Sequence, residues 1–460
     1  MPIIRSISGI RATLNDGLRP DILTKYVAAY CNAIPKGDIV VGRDGRPSGK
    51  WISELVCATI NACGRNVKLL DICPTPTVQL ITEKTDAVGG ISITASHNPE
   101  QWNGLKFLNQ EGVFLNKEEN ERFWILFDTD DIEYSINPSN EIKIEKIDSL
   151  QKHIDAIVNS DLFDVVRIKS QLESRKFKIV VDAVNASGST FVPQLLKVLG
   201  CEVIELFTDN SGIFPHTPEP ITENLGQLCQ SVIDNSADLG IAVDPDADRL
   251  VLIDENGDAI GEEKTIAIAV KSALENNRLK SDYYENCITV NLSTSGMTEK
   301  IASIYDAVVE RSAVGEINVV SKMKENKSLV GGEGSGGVIL PHIHYGRDSL
   351  VGITLLLDII SSKNLSLSEL SNSLPVVFMI KDKIEINSNP NELMNKLKSK
   401  FTGYNINTED GIRIRINDNE WVHIRISNTE PIVRIITESN TRARAKEIFD
   451  DYKTILQEIS

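Results

Sequence analysis

Four short segments of this 460-residue chain bring together residue types that can do chemistry. The first is Thr94-Ala95-Ser96-His97-Asn98-Pro99, running on to Asn103-Gly104-Leu105-Lys106. A loop serine beside His97, with Lys106 close in sequence, offers a nucleophile. The same residues also suit a plain turn, in which Ser96 and Asn98 bond the backbone ahead of Pro99. No G-x-S-x-G elbow surrounds Ser96, which argues against acyl transfer. The second segment is Asp244-Pro245-Asp246-Ala247-Asp248-Arg249. Three carboxylates at alternate positions repel one another unless a cation joins them, and hard oxygen ligands favour Mg²⁺ or Ca²⁺. An EF-hand fails here, because Arg249 stands where that loop needs glycine and Leu250-Val251-Leu252-Ile253 reads as a strand. A solvated acidic turn is the remaining structural reading.

The third segment is Gly331-Gly332-Glu333-Gly334-Ser335-Gly336-Gly337. It matches G-x-G-x-x-G in letters only, since Val338-Ile339-Leu340-Pro341 follows and no helix opens there. The glycines allow close backbone approach to a ligand, with Glu333 and Ser335 offering hydrogen bonds to hydroxyls. A hairpin turn is the structural alternative. The fourth segment is Arg425-Ile426-Ser427-Asn428-Thr429-Glu430-Pro431, with Arg434 beyond. Two guanidiniums flanking a loop of hydroxyl and amide groups suit a phosphate, although a charged sheet edge has the same composition.

These segments need a scaffold, and the chain repeats one. Ile39-Val40-Val41, Ile179-Val180-Val181 and Ile288-Thr289-Val290 each lead through a loop to Ser-Gly (Ser48, Ser187, Ser295) and a helical pattern. Each helix then leads to another apolar run, at Val67–Leu70, Val203–Leu206 and Ala307–Val309. The stripe Phe191, Val192, Leu195, Leu196, Val198 and Leu199 has helical spacing. The three serines are expected as helix N-caps. The repeat predicts an α/β chain: three similar α/β domains with mixed or parallel sheets. From Val376 the texture changes. Ile412, Ile414 and Ile416 alternate with arginines, and Val422, Ile424 and Ile426 alternate with His423, Arg425 and Ser427. That is the period of strands with one wet face. A charged helix from Thr441 to Ile459 closes a smaller C-terminal α+β domain. The expected domains are 1–140, 150–257, 258–371 and 375–460, with a polar linker over 129–150.

Composition limits the possibilities. Lys and Arg number 48 against 65 Asp and Glu, for a formal net charge of −17. That excess of acid argues against a nucleic-acid partner. No uncharged apolar run reaches membrane-spanning length, so no membrane partner is expected. Seven cysteines with no C-x-x-C pair suggest reduced thiols and a cytoplasmic setting.

Taken in order, from Ser8-Gly9-Ile10-Arg11 to Arg434, the segments resemble the α-D-phosphohexomutase superfamily. The resemblance implies four domains around a central cleft. It implies that Ser96 carries a transferable phosphoryl group, and that Asp244, Asp246 and Asp248 hold Mg²⁺ together with a phosphoserine oxygen. Glu333 and Ser335 would read sugar hydroxyls. Arg425, Ser427, Asn428, Thr429 and Arg434 would hold the non-reacting phosphate. Lys106, Arg249 and Arg11 match positive positions near the reacting phosphate, and His97 would move a proton or serve structure. The implied partner is a small phosphosugar, with a hexose 1,6-bisphosphate as activator. Many members carry histidine where this chain has Gly337; His342, His344 or Arg347 are the expected substitutes, and Arg347 is counted with the substrate-binding residues. The Gly-Gly ending most resembles the phosphoglucosamine mutase branch. Phosphomannomutase/phosphoglucomutase activity is the alternative, and a metal-dependent sugar phosphatase a remoter one.

Overall fold

The computed structural model describes residues 3–14, 16–135, 143–281, 283–385, 390–426 and 432–459. The first unit contains β1 (Ile4–Ser6), β2 (Gly9–Thr13), α1 (Pro20–Ala33), β3 (Ile39–Arg43), α2 (Gly49–Ala62), β4 (Val67–Ile72), α3 (Thr75–Glu83), β5 (Gly89–Ile93), β6 (Trp102–Asn109), α4 (Lys117–Thr129) and β7 (Ile144–Lys146). The second follows with α5 (Ser149–Val158), α6 (Val165–Arg175), β8 (Lys178–Asp182), α7 (Gly188–Val198), β9 (Glu202–Leu206), α8 (Gly226–Asp234), β10 (Leu239–Val243) and β11 (Leu250–Ile253). The third holds α9 (Glu262–Glu275), β12 (Glu285–Asn291), α10 (Met297–Ile304), β13 (Val308–Ser312), α11 (Glu316–Asn326), β14 (Ser328–Glu333), β15 (Gly337–Ile339), α12 (Ser349–Lys363) and α13 (Leu367–Asn372). The last comprises β16 (Phe378–Glu385), α14 (Pro390–Lys400), β17 (Ile406–Asn407), β18 (Ile412–Asn417), β19 (Glu420–Ile426), β20 (Ile432–Ser439) and α15 (Arg442–Ile459).

The repeat seen in the sequence is a repeat of topology. Read from one end, the second sheet is β11-β10-β8-β9, the third is β15-β14-β12-β13, and the inner run of the first is β6-β5-β3-β4. In each, three strands are parallel and the last in sequence returns antiparallel. Their first strands are apolar without alternation, as strands covered on both faces must be. The turn into the antiparallel strand is where the chemistry gathers. It carries Ser96 in the first sheet and Asp244, Asp246 and Asp248 in the second. In the third it runs from Glu333 to Gly337. Each of these turns holds one residue in the left-handed region: Ser96 (φ 50), Ala247 (φ 50) and Gly336 (φ 87).

Three expectations are corrected. The stretch expected as a linker contains β7, which pairs parallel with the edge strand β4. Ser48 and Ser187 do not cap their helices. Ser48 Oγ instead accepts from Asn103 Nδ2 at 2.9 Å, and Ser187 Oγ donates to the Pro245 carbonyl at 2.7 Å. Ser48 thus ties α2 to β6 and Ser187 ties α7 to the turn after β10, while Ser295 Oγ accepts from the Met297 amide at the start of α10 at 3.2 Å and donates to Glu438 Oε2 at 2.6 Å. Finally, the wet face expected on the C-terminal sheet is covered in part. His423 is fully buried and Trp421 nearly so, because this face meets the third unit.

Packing separates the units into two classes. One apolar core runs continuously through the first three, from Val40 and Val78 through Phe177, Leu196 and Ile241 to Ile288, Leu329 and Ile360. The C-terminal sheet has its own small core, including Ile412, Ile414, Val422, Ile424, Val433, Ile435 and Phe449. Its attachment to the third unit is polar. Glu438 accepts from the Ser295 hydroxyl and from the Gly296 amide at the N-terminus of α10. His423 Nδ1 lies 2.9 Å from Ser293 Oγ, and Lys381 Nζ reaches Glu262 and Glu263. Among the described residues no helix is long and apolar enough to cross a membrane.

Candidate active site

Ser96 is held in a strained conformation by a buried clamp. A non-glycine residue at positive φ costs about 1–2 kcal/mol, and several bonds offset that here. The Ser96 amide donates to Thr94 Oγ1 at 2.8 Å, and Thr94 Oγ1 in turn donates to Asp44 Oδ2 at 2.7 Å. Arg46, which is fully buried, donates to the carbonyls of Ser96, Asn98, Pro99 and Trp102. Its Nε pairs with Asp44 at 2.9 Å. Asp44 and Arg46 were not singled out in the sequence. The visible signal was the charged cluster Arg43-Asp44-Gly45-Arg46 directly after a β-branched run.

The clamp aims the hydroxyl across the seam between the first two units. Ser96 Oγ donates to Asp244 Oδ2 at 2.9 Å and lies 3.3 Å from His97 Nδ1. Asp244, Asp246 and Asp248 are fully buried, and one ligand oxygen from each lies within 4.8 Å of the others. Lys106 Nζ donates to Asp246 Oδ2 at 2.6 Å and lies 3.4 Å from Asp248 Oδ2. Thr75 Oγ1 also donates to Asp246. Burial and the two neighbouring carboxylates push Asp244 well above the carboxylate range. Burial opposes ionisation of Asp246 too, but Lys106 and Thr75 outweigh it and its pKa is lowered. Asp246 Oδ1 and Asp248 Oδ1 are buried without a hydrogen bond. A carboxylate left so costs several kcal/mol, so this donor set fits a hard divalent cation.

Arg347 joins this floor to the third unit. Its guanidinium donates to Asp248 Oδ2 at 2.6 Å, to Glu333 Oε2 at 2.5 Å and to Glu316 Oε2 at 3.1 Å. Glu333 Oε1 accepts from Asn291 and from the Gly315 amide. A Cβ on Gly337 would lie 2.3 Å from Arg347 Cδ. The space of the missing histidine is therefore filled by the Arg347 side chain. His342 and His344 do not reach it. His342 bonds the Leu279 carbonyl, and His344 is buried with His153 on Asp348 Oδ2 at 3.0 and 2.8 Å.

Above the floor opens a cleft of about 570 Å³ lined from all four units. Arg11 and His97 come from the first, Arg249 from the second, Glu333, Ser335 and Arg347 from the third, and Arg425 and Arg434 from the last. Arg425 and Arg434 are cross-strand neighbours on β19 and β20. Arg11 Nη1 donates to Asn98 Oδ1 at 3.0 Å. The charge of Arg249, burial and Arg11 hold the His97 imidazole well below its usual pKa, so it is neutral near pH 7. Six cations and four carboxylates line the cleft, a positive surface inside a chain of net charge −17. Lys381, Glu262, Glu263 and Glu219 also line it and were not anticipated. Ser427, Asn428 and Thr429 lie outside the described residues.

The chain matches, in succession, phosphoglucomutase/phosphomannomutase α/β/α domain I over residues 3–133, domain II over 151–257, domain III over 261–378 and the C-terminal domain over 385–454. The chain belongs to the phosphoglucomutase/phosphomannomutase family. Within that family it is 34% identical over 459 residues to a phosphoglucomutase/phosphomannomutase of Thermococcus kodakarensis, covering 98% of this chain and 97% of the relative. It is 28% identical over 464 residues to a phosphoglucosamine/phosphogalactosamine mutase of Sulfurisphaera tokodaii, covering 98% of each. An X-ray structure of a phosphoglucomutase/phosphomannomutase family protein from Burkholderia thailandensis superposes with TM-score 0.85 at 25% identity, covering 99% of this chain and 98% of that one.

Proposed function

We propose that this chain interconverts hexose 6-phosphates and 1-phosphates through phospho-Ser96, with glucosamine 6-phosphate to glucosamine 1-phosphate as its preferred reaction. The observation that carries the reading is the Ser96 hydroxyl, 2.9 Å from Asp244 Oδ2 and 3.3 Å from His97 Nδ1, beside a cleft that His97, Arg425 and Arg434 help to line. In the first step the P–O bond to Ser96 Oγ breaks and a P–O bond to the free sugar hydroxyl forms. The sugar hydroxyl loses its proton as it attacks and Ser96 Oγ gains one as it leaves, so the exchange is proton-neutral; His97, neutral and 3.3 Å from Oγ, is placed to relay the proton that Oγ takes up. Lys106, Arg249 and Arg11 face the charge on the equatorial oxygens. Asp244, Asp246 and Asp248 would hold Mg²⁺, which supplies further positive charge against those oxygens. The bisphosphosugar then turns over and returns its other phosphate to Ser96, so a hexose 1,6-bisphosphate primes the enzyme. Either phosphate must fit the same grip, formed by Arg425 and Arg434 with Ser427, Asn428 and Thr429. Glu333, Ser335 and Arg347 position the ring. The proposed division into domains is 1–140, 150–257, 258–371 and 375–460, with β7 (Ile144–Lys146) to be added to the first because it pairs with β4. Seven free cysteines support a reducing, cytoplasmic setting.

Phosphoglucomutase/phosphomannomutase activity is the second reading. It is favoured by the name of the Thermococcus relative and by Gly334, which offers no side chain to a ring substituent. A phosphatase would need no Arg425–Arg434 grip. The test compares kcat/KM for glucosamine, glucose and mannose phosphates with Mg²⁺ and a hexose bisphosphate present. The highest value is expected for glucosamine phosphate, with phosphate on Ser96 by mass spectrometry and loss of turnover on chelation. A tenfold preference for glucose or mannose phosphate overturns the sugar assignment. Release of free phosphate as the main product overturns the mutase.

A further inference from the structure

The position between Glu333 and Ser335 has no side chain, and the space beside it is already taken. A Cβ on Gly334 would lie 2.3 Å from both carboxylate oxygens of Glu263. Glu263 is the second residue of α9, its side chain 13% exposed, and it lines the cleft next to the sugar loop. Oε2 accepts from the Ser295 amide at 2.9 Å, and Oε1 from Lys381 Nζ at 2.7 Å. A carboxylate offers about four acceptor positions, so both oxygens retain capacity.

The charge around Glu263 is unbalanced. Glu262 shares the same lysine, with Oε1 at 3.0 Å from Lys381 Nζ. Two carboxylates thus divide one ammonium, which is carried by the C-terminal domain. The other acid of the sugar loop, Glu333, accepts three hydrogen bonds, from Arg347, Asn291 and the Gly315 amide, and its charge is matched by the Arg347 guanidinium. A ring hydroxyl can donate one hydrogen bond to this carboxylate but brings no charge to balance it. A ring bearing an ammonium does, through a charge-assisted hydrogen bond.

We infer that Glu263 reads the 2-ammonium group of an aminohexose phosphate, from the space that Gly334 leaves open. The inference rests on the aminosugar reading above. Two substitutions reach the same carboxylate by different routes. Glu263→Gln keeps the shape and removes the charge; Gly334→Ala keeps the charge and displaces it. A charge-assisted bond is worth about tenfold or more in rate or affinity. The ratio of kcat/KM for glucosamine 6-phosphate over glucose 6-phosphate is therefore expected to fall at least tenfold in both variants, mainly through KM for the aminosugar. Parallel losses on the two sugars, with the ratio within threefold of the parent, overturn the inference and leave the aminosugar reading intact. A parent enzyme that itself prefers glucose 6-phosphate overturns both. Lys381→Met separates recognition from domain attachment. If it alone reproduces the fall in the ratio, the effect runs through the interdomain ion pair and Glu263 is not the reader.

Discussion

The two ends of the cleft, reacting and gripping in the function proposed above, are built on opposite plans. The reacting end, around Ser96 and the three aspartates, lies in units that share one continuous apolar core. Its charged groups are buried and tied to one another before any substrate arrives. The gripping end stands on a sheet with its own core, joined to the rest by hydrogen bonds and ion pairs. Arg434 is exposed there, and Arg425 Nε stands 3.4 Å from Asp410 as its ion-pair contact. Phosphoryl transfer gains from fixed charges that need no rearrangement. A grip that must take either phosphate of a turning bisphosphate gains from the opposite, an attachment that can loosen and re-form.

The sharpest separation of the two ends is Ser96→Ala. It removes the acceptor and leaves the grip, so kcat should fall by at least about 10³-fold. Sugar-phosphate affinity by calorimetry should stay within a few-fold of the parent. A variant that still turns over at near-parental rate would end the phosphoserine mechanism. Next in size is Gly337→Ala, which tests the joint between the ends. The new Cβ would meet Arg347 Cδ at 2.3 Å, driving the guanidinium from Asp248 and Glu333 together. Two charge-assisted bonds are at stake, so kcat/KM should drop about 100-fold. An unchanged value would mean that Arg347 is packing rather than machinery. Smaller still is Arg434→Ala. The expected signature is a roughly tenfold rise in KM with a lesser change in kcat, and escape of bisphosphosugar into solution. Loss confined to kcat would move Arg434 to the reacting end.

Legibility in the sequence follows the same division. The aspartate triad follows the apolar run Leu239–Val243, and Ser96 and Lys106 flank the turn after the small-residue strand Gly89–Ile93, so local pattern alone marks them. The repeated order of the three sheets was visible as three β-branched runs followed by Ser-Gly. The equivalence of the three turns was not, because pairing of β14 with β15 or β10 with β11 leaves no signature in either strand alone. Side chains that act at a distance were also hidden. Arg46 lies 50 residues from the Ser96 carbonyl it holds, and Glu263 reaches Gly334 only in the folded chain. The alternation of β19 was read correctly as one apolar face. What covers the other face depends on the third unit, which no pattern within Val422–Ile426 records.

The attachment of the gripping end supplies an effect on stability rather than on turnover. His423 is fully buried at the junction, with Nδ1 at Ser293 Oγ and Nε2 donating to the Asp410 carbonyl at 2.7 Å. Burial pushes its pKa down to about 4; the Asp410 bond opposes this, while Arg425 and Arg413 add to it. The sign is therefore that of a histidine buried neutral. Between its unfolded value near 6.5 and about 4 the released state binds the proton and the docked state does not. Stability of the junction should fall as pH drops through that window, by about 3 kcal/mol at most. In His423→Gln the first thermal transition, read by scanning calorimetry, should lose less between pH 6.5 and 4.5 than in the parent. Parallel curves would mean that other groups set the acid response, and that the junction opens without protonating this residue.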